Sequence, residues 1–186
     1  MNGRVRIIGG KWRSRQLFVP TMKDLRPTPD RVRETLFNWL SPWIAGARCL
    51  DPFAGTGVLG FEALSRGAAY VEMIDTARGA VENLQRSAAL LGATEARIYQ
   101  AKAPDQMRVP DQPFDIVFLD PPYQEMLLLP TCFYLEAHHY LADVAYIYVE
   151  AQHAVHDDDL PCGWQVVKSG RAGHVFYHLV CRNKLC

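Results

Sequence analysis

The stretch Leu50-Asp51-Pro52-Phe53-Ala54-Gly55-Thr56-Gly57-Val58-Leu59-Gly60 narrows most what this chain can fold into. An apolar approach from Ala47 to Leu50 leads into it, and helix-forming residues follow from Val58 to Arg66 until Gly67 stops them. The order predicts strand, tight loop and helix, with glycine where the backbone bends sharply or lets a ligand come close. Phe53, Ala54, Gly55, Thr56 and Gly57 are then the cradle of a nucleotide-type cofactor. Because Gly55-Thr56-Gly57-Val58-Leu59-Gly60 also satisfies the dinucleotide fingerprint, the loop alone admits a nicotinamide cofactor as well as S-adenosylmethionine (SAM). Asp51 favours SAM, since a carboxylate there attracts a sulfonium or an amino group and repels a pyrophosphate.

The segments around the loop predict alternating strands and helices. Tyr70 to Asp75 is a second strand that ends in a carboxylate eighteen residues beyond Gly57, where a strand-helix-strand unit sets an acid against ribose hydroxyls. Arg78 to Leu91 is an amphipathic helix stopped by Gly92, with Val81, Leu84, Ala88 and Leu91 inward. Ala96 to Ala101 and the apolar Phe114 to Leu119 are further strands, Leu128 to Leu141 is helical, and Ala145 to Val149 is a fifth strand. Trp164 to Lys168 and His174 to Val180 make a closing hairpin around Gly170 and Gly173. Near the start, Arg4 to Pro20 reads as a short hairpin closed by Gly9-Gly10, and Thr28-Pro29-Asp30 opens a helix to about Leu40 with the Thr28 hydroxyl as its cap. The expected fold is α/β: a doubly wound, mostly parallel seven-stranded sheet with an antiparallel edge and a small N-terminal β-hairpin. Residues 1–27 form the extension and 28–186 the main domain.

Directly after the fourth strand stands Asp120-Pro121-Pro122-Tyr123. In open α/β sheets the functional groups gather at the carboxyl ends of central strands, so this tetrapeptide and the glycine loop should face one cleft. The chemistry suits methylation of an exocyclic base amine, whose lone pair is delocalised into the ring. A carboxylate that accepts the amine N–H favours a pyramidal nitrogen and stands ready to take the departing proton. Pro121 and Pro122 fix the turn and hold a backbone carbonyl as second acceptor, and Tyr123 offers an aromatic face for the base. A base within a helix must first be turned out of its stack.

The 186 residues suffice for one well-buried α/β domain and carry no net charge, but the charge is unevenly spread. Residues 1–33 hold nine Lys/Arg against two Asp, a net +7, and the rest of the chain balances them with −7. Arg4, Arg6, Lys11, Arg13, Arg15, Arg26 and Arg31, interleaved with Trp12 and Phe18, suit an RNA backbone through phosphate neutralisation and base stacking. There is no apolar run of membrane-spanning length and no signal-peptide pattern, which leads to the expectation of a cytoplasmic protein. The five cysteines form no Cys-x-x-Cys pair, and His153-x-x-His156 ahead of Asp157-Asp158-Asp159 lies in a polar loop, so no metal is expected.

Taken together, Asp51-Pro52-Phe53-Ala54-Gly55-Thr56-Gly57, Glu62-Ala63-Leu64-Ser65-Arg66-Gly67-Ala68, Asp120-Pro121-Pro122-Tyr123 and the segment Arg26 to Asn38 resemble the RsmD family. These are bacterial SAM-dependent methyltransferases that modify a guanine N2 of 16S ribosomal RNA. The resemblance covers nearly the whole chain. It implies a class I, Rossmann-like methyltransferase fold, with Asp51, Gly55 and Gly57 around the cofactor, Asp75 on the ribose and Asp120 to Tyr123 at the target guanine. It also implies a 30S subunit as substrate and the basic hairpin as RNA grip, and nothing in the sequence demands more than a monomer as working unit. One position departs from the pattern: Lys102 stands where an acid or amide commonly binds the adenine amine, and Asp105 or a backbone group is left to do so. The competing readings are an amino methyltransferase acting on DNA adenine or protein glutamine, a nicotinamide dehydrogenase, and a catalytically silent RNA-binding protein.

Overall fold

The structure is a computed structural model that describes residues 3–19, 28–122 and 126–184. Strand β1 (Gly3–Arg6) pairs antiparallel with β2 (Gln16–Val19), and a single 3-10 turn, Gly10–Trp12, lies between them. The seven-stranded sheet is built from β3 (Arg48–Asp51), β4 (Tyr70–Asp75), β5 (Ala96–Gln100), β6 (Phe114–Leu119), β7 (Leu141–Ala151), β8 (Trp164–Ala172) and β9 (Val175–Asn183), in the order β5-β4-β3-β6-β7-β9-β8. The first five strands of that order run parallel. The antiparallel edge is a hairpin whose β9 lies against β7, with β8 outermost.

Helices α1 (Asp30–Leu40), α2 (Val58–Ser65) and α3 (Arg78–Leu91) share one apolar core with the hairpin, through Leu36, Phe37, Phe61, Leu84, Ile7 and Leu17. Helix α4 (Leu128–Ala137) supplies Cys132 and Leu135 to the second core on the opposite face, beside Phe114, Val117 and Ile147. The sheet is therefore covered on both sides, which is why β6 reads as an unbroken apolar run. Order reverses between β3 and β6, the topological switch point at which such sheets open a crevice.

Several boundaries differ from expectation. Helix α4 ends at Ala137, not Leu141, because His139 takes a positive φ of 58° and the apolar Leu141 starts β7. His138 and His139 thus follow the helix instead of lying on it. The arms of the closing hairpin are longer than the apolar pattern implied. Gly170 lies within β8 under the Tyr177 ring, which leaves Gly173 and His174 as the turn. Thr28 does not cap α1: the N-cap is Pro29 without a side-chain bond, and the Thr28 hydroxyl is used elsewhere.

Candidate active site at the switch point

The glycine loop connects β3 to α2 and is held by its own backbone. Ala54 N–H donates to Ile74 O at 2.9 Å and Gly57 N–H to Ala54 O at 2.7 Å. Gly55 and Gly57 take φ of 52° and 75°, in the left-handed region that costs glycine nothing. A Cβ on Gly57 would also run into Leu84 Cδ2 and the Phe61 ring, so the position has neither the torsion nor the space for a side chain. Ala54, Gly55, Thr56 and Gly57 are buried and Phe53 is half-buried. Asp75, at the end of β4, accepts Gly55 N–H at 2.9 Å on one oxygen and Ala77 N–H at 2.8 Å on the other. Its carboxylate ties the glycine loop to the turn that opens α3, and each oxygen keeps a lone pair for a ligand hydroxyl.

Four carboxylates converge at the carboxyl ends of neighbouring parallel strands: Asp51 on β3, Asp75 on β4, Asp120 after β6 and Glu150 on β7. Burial raises the Asp51 carboxyl from its ordinary 3.8 to about 7, the charge of Asp75 adds to this, and the N–H groups of Phe53 and Gly60 oppose it. Asp120 is pushed well above the usual carboxylate range by enclosure of its carboxyl group, then by the charges of Glu150 and Asp51. The register sets Leu119 opposite Val149, so Asp120 and Glu150 follow as neighbours across two strand ends. Glu150 is buried and its carboxyl is also raised by desolvation, opposed by hydroxyls of Tyr148 at 2.8 Å and Thr28 at 2.9 Å that both donate to Oε1. So many acids in one crevice resist full ionisation, and a cationic ligand relieves their mutual repulsion.

Pro121 is buried and Pro122 exposed, while Tyr123 lies outside the described residues. Lys102, between the buried Ala101 and Ala103, and Asp105, after the buried Pro104, are exposed, and Lys102 N–H is engaged by Gln106 Oε1 at 3.1 Å.

A second polar cluster anchors the basic N-terminal segment. Glu62, fully buried on α2, accepts Ile8 N–H at 2.7 Å, Gly9 N–H at 2.8 Å and Arg66 Nε–H at 2.8 Å, and stands 3.6 Å from the Arg33 guanidinium. Arg33 is itself fully buried on α1 and donates to Arg6 O at 3.0 Å, Thr28 O at 3.2 Å and the Asp30 carboxylate. One turn further along α2, Ser65 Oγ accepts Trp12 N–H at 2.9 Å and donates to Gly9 O. Arg4, Arg6, Lys11, Arg13, Arg15 and Arg31 are all exposed around this anchor; Arg26 lies outside the described residues. Arg6 pairs with Asp30 and Lys11 with Glu95, whereas the side chains of Arg13, Arg15 and Arg31 form no ion pair among the described residues.

The model of the family described as Conserved hypothetical protein 95 matches residues 5–181. A curated relative from Escherichia coli K12, named ribosomal RNA small subunit methyltransferase D, is 46% identical over 181 residues, covering 97% of this chain and 91% of its own. The chain belongs to the RsmD family. A relative of the same name from Haemophilus influenzae is 42% identical over 183 residues, covering 95% of this chain and 93% of its own. The solved structure of a putative methyltransferase, yhhF, from Escherichia coli superposes with a TM-score of 0.88 at 46% identity, covering 97% of this chain and 99% of that one.

Within the RsmD framework, two segments that carried the resemblance prove to be structural partners. Arg33 in one and Glu62 in the other meet inside the protein as the clamp on the hairpin. Composition places Arg33 in the cationic segment and does not mark it as an interior charge. Glu150 and its donors Thr28 and Tyr148 are likewise absent from the site residues that the motifs mark. A usable signal for Glu150 was present: like Asp51, Asp75 and Asp120, it is an acid that closes an apolar strand.

Proposed function

We propose that the chain transfers a methyl group from SAM to the exocyclic N2 amine of a guanine in 16S ribosomal RNA, with the 30S subunit as substrate. The observation that carries the reading is the meeting of Asp120 and Asp51 at the β3–β6 switch point beside a glycine loop that leaves no room for a side chain at Gly57. The names of the curated relatives support an RNA of the small subunit as the substrate class.

The crevice fits SAM by the chemistry of its donors. Asp51 and the other strand-end acids favour a ligand bearing a sulfonium and an ammonium group, Asp75 suits ribose hydroxyls, and Phe53 to Gly57 form the cradle. Bound SAM supplies an electrophilic methyl. Asp120 accepts one N–H of the amine, aims the nitrogen lone pair and takes the proton released when the new N–C bond forms. Its raised proton affinity suits that last task. The proline-fixed turn at Pro121-Pro122 presents the carbonyl that holds the other N–H, and Tyr123 stacks on the base. In this reading residues 1–27 are an RNA-binding extension of the methyltransferase domain 28–186, and Arg4, Arg6, Lys11, Arg13, Arg15, Arg26 and Arg31 neutralise phosphates. The working unit is a monomer.

The test is incubation with methyl-labelled SAM and, in parallel, undermethylated small subunits, deproteinised 16S RNA and duplex DNA, followed by identification of the labelled nucleoside. N2-methylguanosine formed mainly in the subunit is the expected result. Label in N6-methyladenine or in protein overturns the substrate while leaving the Asp120 chemistry in place.

A further inference from the structure

Strand β2 lies along α3, and between them runs a surface groove of about 270 Å³ lined by Arg15, Phe18, Ser87, Leu90 and their neighbours. Phe18 and Leu90 are 44% and 61% exposed, large apolar surfaces that no core claims. Asn83 Nδ2–H donates to Phe18 O at 2.9 Å, which fixes the strand against the helix at the residue that carries the ring. The surroundings are cationic. Arg4 stands over the Phe18 ring at 5.9 Å, Arg15 lines the groove, and Arg86 lies one turn from Leu90 on the same face of α3. The acids close by are already engaged, Glu82 by Arg78 at 2.8 Å and Glu95 by Lys11 at 3.7 Å. Trp12, the other aromatic of the basic segment, is buried with Lys11 over its ring at 4.5 Å and has no face to offer.

An exposed ring flanked by unneutralised guanidinium groups is complementary to one kind of partner, a planar apolar group that carries its own negative charge. We infer that this groove is a stacking subsite for an unpaired nucleotide of the RNA substrate, its base on Phe18 and Leu90 and its phosphates on Arg15 and Arg4. The inference rests on the RNA reading above and adds to it. The hairpin does not only neutralise phosphates; it takes hold of a base other than the one methylated, and so requires a single-stranded nucleotide at a fixed place relative to the target.

Affinity is measured for a short oligouridine RNA and for an inorganic polyphosphate of matched charge, without SAM. Phe18→Ala weakens RNA binding about tenfold and leaves polyphosphate binding within about twofold, and Phe18→Trp restores the RNA affinity. Arg15→Ala weakens both probes and lowers the salt dependence of each. Phe18→Leu, which keeps apolar bulk without a π face, falls with Phe18→Ala and guards against a folding artefact. RNA affinity unchanged in Phe18→Ala overturns the subsite and points to a protein partner; equal loss on both probes also overturns it, since stacking then plays no part. Failure of the RNA reading shows separately, as wild-type protein that transfers no methyl group to any RNA.

Discussion

Thr28 and Glu150, 122 positions apart in the chain, are joined by a hydrogen bond of 2.9 Å from the Thr28 hydroxyl to Glu150 Oε1. The bond links the segment that enters α1 to a carboxylate beside Asp120. Thr28→Val leaves Glu150 with Tyr148 as its remaining hydroxyl donor, and the loss of a buried bond to a charged acceptor costs about 1.5–3 kcal/mol of stability. Under the proposed function kcat falls while SAM affinity stays unchanged. Chemical denaturation together with a kcat and KM comparison checks both parts.

Asp120→Asn keeps the shape of the side chain and an oxygen acceptor but cannot take a proton. Methyl transfer is expected to fall by about 10²–10⁴-fold. SAM binding persists, and thermal stability does not fall, because one of several mutually repelling acids has gone. Calorimetric titration with SAM separates this outcome from a collapsed site.

Asp51 makes stability and ligand affinity depend on pH in opposite directions. Its carboxyl is raised from 3.8 to about 7 in the folded protein, so between those values the folded chain holds a proton that the unfolded chain has lost. The Asp51 contribution to the stability of the ligand-free protein therefore declines as pH rises through that window and levels off above about 7. Under the proposed function SAM, a cation at its sulfonium, is expected to prefer ionised Asp51, so its affinity rises with pH over the same window and then flattens. Asp51→Asn removes the Asp51 share of both slopes and leaves that of Asp120 and Glu150. Thermal melts and SAM titrations across pH 5–8 test the pair of signs.

Glu62 and Arg33 form an interior clamp, and the removal of either leaves several groups without a partner. Glu62→Gln keeps one acceptor for Ile8 or Gly9 but removes the buried anion beside Arg33 and leaves it only the exposed Asp30 as counterion, at a cost of about 3 kcal/mol. Arg33→Met does comparable damage from the other side. Limited proteolysis is expected to release the hairpin first in both variants, before the sheet unfolds.

Much of the fold was legible because local and tertiary signals agree. Strands β4 and β6 and helix α3 run as read, since Gly92 stops α3 and burial on both faces makes β6 uniformly apolar. The end of α4 was not legible, because Tyr140 and Leu141 continue an apolar pattern and the break lies in the backbone torsion of His139. Thr28 misled for a related reason. A hydroxyl before proline and aspartate has a sound local use as a cap, and a partner 122 residues away outcompetes it. In the candidate site, the loop and the acids at the ends of β3, β4 and β6 could be read from motif and spacing. The ionic clamp could not, because composition gives Arg33 the same weight as the exposed Arg31 beside it.

Helix α2 has only eight residues, about 12 Å of rise. Its first turn begins at Gly57, and its second and third carry Glu62 and Ser65, the two side chains on which the hairpin hangs. The span from the glycine cradle to the cationic surface is thus a length of covalent helix rather than a docked interface between two bodies. Under the proposed function it works as a fixed ruler: a chain seated on the cationic surface meets the crevice at one preset reach, and a substrate is measured by its shape before its target base is reached.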